Sequence, residues 1–85
     1  MKALKELGLS LHRETGFYCT VDIVTVPGSN RYKGIMIYED PLADPQWSMF
    51  RFNVLDAPGK SLFDRIFDVC VQKLEMVVWG NDDEE

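Results

Sequence analysis

The pattern of apolar and polar positions divides the chain into short elements. From Phe17 to Val26 nearly every residue is β-branched or aromatic, which predicts a strand. Pro27-Gly28-Ser29-Asn30 turns the chain, and Tyr32–Tyr38 forms a second strand, so the two make an antiparallel hairpin. Pro41 and Pro45 bracket a loop, and Trp47–Leu55 is a third strand. After Asp56–Lys60 the period changes. Phe63, Ile66, Phe67, Cys70, Leu74, Val77 and Val78 recur at helical spacing, with Asp64, Arg65, Asp68, Gln72 and Glu75 opposite. This predicts an amphipathic helix over 62–77, opened by an approximate capping box at Ser61 and Asp64. Before Phe17 the pattern is ambiguous. Met1, Leu4 and Leu7 suit two turns of helix stopped by Gly8, whereas the alternation of Leu7, Leu9 and Leu11 also suits a strand over 9–13.

The expected fold is α+β: a three- to four-stranded antiparallel sheet with the C-terminal helix on one face and room for a short N-terminal helix. Residues 1–80 make one domain, and 81–85 an acidic tail. Side chains alternate between the faces of a sheet. One face collects Phe17, Cys19, Val21, Ile23, Ile35, Ile37, Phe50, Phe52 and Val54, which suits the helix stripe. The other then holds Tyr18, Thr20, Asp22 and Val24, Tyr32, Gly34, Met36 and Tyr38, and Trp47, Met49, Arg51 and Asn53. Tyr, Trp, Met and Arg are the residue types enriched at the buried centres of protein interfaces. Tyr18, Tyr32, Met36, Tyr38, Trp47, Met49 and Arg51 are therefore candidates for binding a protein partner or a second copy in a homodimer.

Charge narrows the partner. The net charge is −5; four of the 14 acidic residues are the run Asp82–Glu85, leaving ten against nine Lys and Arg. Basic residues are scattered singly, so the cationic footprint that direct nucleic-acid binding needs is missing. Glu39, Asp40 and Asp44 gather in the proline-bracketed loop, and with the tail they suit a second reading, a small acidic inhibitor or immunity-type protein seated in a basic groove. The loop lacks the glycine and the oxygen spacing of a calcium site.

Chemistry-bearing motifs are few. Gly59-Lys60-Ser61 precedes a helix, as in a phosphate-binding loop, but Val54 stands where that loop needs its first glycine. What remains is a third reading, an anion site at the helix N-terminus using Lys60 and Ser61. His12 is the sole histidine and has no neighbouring carboxylate or thiol arranged as a catalytic or metal set. Cys19 and Cys70 have no CxxC spacing and are expected as reduced, packed thiols, with a disulfide as the alternative. No apolar run approaches the length of a membrane span and no secretory leader is recognisable, which points to a cytoplasmic protein. The sequence thus predicts a non-enzymatic interaction module with no cofactor, no metal and no membrane contact.

Overall fold

A computed structural model describes residues 2–79, so the acidic run Asp82–Glu85 lies outside the described residues. The element order is β1 (Lys2–Ala3), α1 (Lys5–Thr15), β2 (Cys19–Thr25), β3 (Arg31–Glu39), β4 (Trp47–Leu55) and α2 (Leu62–Trp79). The strands form one antiparallel sheet in the order β1-β2-β3-β4. Both helices cover the same face. Leu7 and Leu11 of α1 and Ile66, Cys70 and Leu74 of α2 are fully buried with Val21, Ile23, Met36, Tyr38, Phe52 and Val54 of the sheet. Each large side chain in this layer contributes roughly 1.5–3 kcal/mol of burial.

The N-terminal helix differs from the sequence reading. It starts after Leu4 and runs through Gly8 to Thr15. Leu4, Leu7 and Leu11 supply the stripe on either side of the glycine. Gly8 is there because α1 crosses β2 at this point: a Cβ on Gly8 would sit 2.9 Å from the Cys19 carbonyl oxygen. The stop is instead Gly16, which takes a left-handed φ of 84° while its N–H donates to the His12 carbonyl at 2.8 Å.

The strands match the predicted elements closely, but β3 faces the other way. Val26 N–H donates to Arg31 O, so four residues separate the last paired positions of the hairpin. Partners across it therefore have opposite parity: Val21 stands opposite Met36 and Cys19 opposite Tyr38. The seven residues between Glu39 and Trp47 restore like parity, and Met36 meets Phe50. The odd residues of β2 thus share a face with the even residues of β3 and β4. Tyr32, Gly34, Met36 and Tyr38 lie under the helices, and Met36 is 0% and Tyr38 6% exposed. These residues form core and not interface, which corrects the placement of Tyr32, Met36 and Tyr38. Ile35 and Ile37 exchange with them onto the uncovered face.

Candidate functional site

The uncovered face is built from the outward residues of three strands. Its rows read Thr20, Ile37, Met49; then Asp22, Ile35, Arg51; then Val24, Lys33, Asn53. Glu39 and Trp47 close one end, Arg31 and Leu55 the other. Trp47 and Met49 are each 54% exposed, Val24 and Leu55 are also exposed, and Ile35 and Ile37 are half-buried between their neighbours. A continuous apolar strip, Ile35, Ile37, Met49 and Trp47, therefore faces solvent. Three cations, Arg31, Lys33 and Arg51, gather toward the other end, where Lys33, Arg51, Asn53, Val24 and Ile35 line a hollow of about 300 Å³. Sequence reasoning placed only Arg51 among these cations, because the parity of β3 hid Arg31 and Lys33. The face carries one ring, Trp47, eight positions along the ladder from the Arg31–Leu55 pair.

The backbone adds a second feature. Tyr18 and Glu39, like Val26 and Arg31, are hydrogen-bonded pairs, with Glu39 N–H on Tyr18 O at 2.9 Å and Val26 N–H on Arg31 O at 3.1 Å. Antiparallel pairs alternate, so β3 turns the N–H and C=O of its odd residues to β2 and those of its even residues to β4. On β4 the even residues then bond to β3, and Trp47, Met49, Arg51, Asn53 and Leu55 direct theirs away from the sheet. Among the described residues nothing pairs with this edge. All five are exposed. The opposite edge is covered: β1 pairs with Asp22 and Ile23, Leu4 N–H donates to Val21 O at 2.8 Å, and Gly8 packs on the Cys19 carbonyl.

The remaining sequence candidates lie elsewhere. Tyr18 precedes β2, and its ring stacks on His12 of α1 with centroids 4.2 Å apart. It lines an apolar groove of about 480 Å³ between α1 and β2, with Leu4, Gly8, Leu9 and Cys19. Glu39 separates it from Trp47 in the row that closes the open face. No local pattern in the residues marks this groove. Asp40 serves its own loop: its carboxylate accepts from Leu42 N–H at 3.0 Å, and its N–H donates to Gln46 O. Glu39 lies opposite Trp47 on β3, and Asp44 is exposed in the loop. Lys60 is paired with Asp68 at 2.6 Å, and Ser61 Oγ accepts from Asp64 N–H at 3.1 Å. Both groups named for an anion site are thus engaged with α2 itself. Arg65 ties the same connector by donating to the carbonyls of Ala57, Pro58 and Lys60.

Both cysteines are free thiols. Burial raises the Cys19 thiol, and burial followed by the charge of Cys19 pushes Cys70 up to about 12. Neither is a ready nucleophile at neutral pH, since the thiolate is the reactive form. The unfolded Cys70 thiol ionises near 9.0, so between there and about 12 the folded chain holds a proton that the unfolded chain has lost. This contribution to stability is complete below the unfolded value and fades as the pH climbs to the folded one. Urea melts should therefore show the advantage of the parent over Cys70→Ala shrinking from pH 9 toward pH 12. A constant difference across that window would show that the thiol is not shielded as described.

Among the described residues, no three His, Cys, Asp or Glu side chains are placed to hold a metal ion, and no helix is long and apolar enough to cross a membrane. The chain matches no protein-family model, no curated protein and no solved structure.

Proposed function

We propose that this protein is a non-enzymatic protein–protein interaction module whose contact surface is the open sheet face, centred on Ile37, Trp47 and Met49. One observation carries the reading. The apolar strip Ile35, Ile37, Met49 and Trp47 lies on a rigid sheet, on the side away from both helices. Flat or unbranched side chains such as Trp and Met supply contact area in interfaces, and Arg51 beside them is of the kind that anchors binding. The strip sits between strands whose other face is locked into the core, so the surface is preformed.

A photo-crosslinking amino acid placed at Met49, and separately at Leu9 on the helix side, tests this in cells that express the chain. Crosslinked protein species should be concentrated at position 49 and should vanish when Ile37→Lys is added. Equal labelling at both positions, or labelling at 49 that ignores Ile37→Lys, would remove the open face from consideration.

A further inference from the structure

The bare edge of β4 identifies the occupant of this surface more narrowly, on the reading that the open face is a contact surface. Five consecutive outward residues present unpaired N–H and C=O groups, and only another extended backbone satisfies such a row in register. Chains that keep an edge solitary blunt it with charged side chains, Pro, a bulge or a cover. β4 carries no Pro, no bulge in its nine-residue ladder to β3 and a single charge, Arg51. The β2 edge is covered by β1 and α1. The chain thus protects one edge and leaves the other open.

We infer that the occupant is the β4 strand of a second copy, paired antiparallel about a two-fold axis at Phe50. Side-chain chemistry selects this register. An axis at Arg51 would set Arg51 directly against its own copy, and like charges so placed repel. An axis at Met49 would leave only Trp47 to Arg51 paired. An axis at Phe52 would leave Trp47 unpaired. With the axis at Phe50, Met49 stands opposite Arg51 of the second copy and Trp47 opposite Asn53, and the exchange forms about eight backbone hydrogen bonds. The two open faces then run on from one sheet into the other, with Met49 and Arg51 of the two copies alternating along the seam.

The area is enough for a weak, reversible dimer. The seven residues Trp47–Asn53 that pair in this register span roughly 23 Å. The body is 21 Å across its shortest dimension, so the contact covers roughly 500 Å² on each copy. The total of roughly 1,000 Å² only reaches the ~1,000 Å² that separates specific association from chance contact, the size of a transient pair.

Sedimentation velocity of the full chain between about 5 and 200 µM reads the result, a span chosen for micromolar association. The parent should pass from monomer to dimer. Arg51→Pro removes an N–H that points away from β3, so the sheet should survive by circular dichroism while the dimer is lost. Met49→Lys, set opposite Arg51 of the second copy, should weaken association about tenfold, and Met49→Glu should strengthen it at low salt. This opposite response holds even if Arg51→Pro fails to fold. A parent that stays monomeric at 200 µM overturns the inference, and so does equal weakening by Met49→Lys and Met49→Glu. A dimer that survives Arg51→Pro but dissolves with Ile37→Lys would also overturn it, placing the contact on the face and not the edge. Crosslinks from position 49 to a foreign protein, with a monomeric parent, would leave the proposed function standing and end this inference alone.

Discussion

Met36→Lys should unfold this protein, and Ile37→Lys, one position on, should leave it folded. Met36 has no exposed surface and stands between Val21 and Phe50 beneath the helices. An ammonium there has no anionic partner, because no charged side chain is buried among the described residues. Stranding a charge in such a layer costs about 4 kcal/mol or more, even after the lysine sheds its proton. A domain of this size holds only roughly 4–13 kcal/mol in total. Ile37 is on the other face, half-buried between Thr20 and Met49. A lysine there can lay its stem along Met49 and keep its charge in water, so the loss should stay near or below about 1 kcal/mol. Thermal melts of the two variants decide the matter. Comparable stability in both would mean that β3 is paired in another register.

Gly34→Val should be strongly destabilising although it adds no charge. A Cβ at position 34 would fall 2.2 Å from the tip of the Phe52 ring and 2.4 Å from its neighbouring carbon. The ring lies across the glycine, its partner on β4, and is itself only 6% exposed. It cannot swing aside without entering space filled by its packed neighbours. Overpacking of this kind costs about 1–3 kcal/mol, and the branched valine places it at the upper end. In a chain of this length that is a fall in melting temperature of roughly 10–20 °C. Shortening the ring should recover part of the loss, so Gly34→Val with Phe52→Leu should be less destabilised than the sum of the two single changes. Strict additivity would show that the glycine is needed for some reason other than the ring.

Most of the architecture can be read from the residues, and the exceptions have physical causes. α2 announces itself because Ile66, Cys70 and Leu74 fall on one stripe with charges behind. β4 is legible in both extent and facing because Phe50, Phe52 and Val54 alternate with Met49, Arg51 and Asn53. β3 is not, since Ile35-Met36-Ile37-Tyr38 is apolar on both sides and either parity buries a plausible set. The deciding signal was in the turn: four residues from Pro27 to Asn30 oblige odd positions on β2 to meet even ones on β3. α1 was masked by Gly8, whose role is a close approach to the Cys19 carbonyl that no local pattern records. Of the proposed surface, Trp47, Met49 and Arg51 were legible. Ile35, Ile37, Arg31 and Lys33 followed only from the register, and the stacking of Tyr18 on His12 left no local sign. The exposed edge of β4 is made of main-chain groups, which every residue type except proline shares, so it leaves no mark in composition at all.

The two edges also set a limit on growth. A sheet open on both sides can recruit neighbours without end, each newcomer bringing a fresh rim for the next. Here Lys2 and Ala3, with the helix that follows them, seal one rim, and the proposed pairing of β4 with itself would consume the other. Assembly by that route would be self-terminating, and the shortest of the described strands would distinguish a closed pair from a fibre.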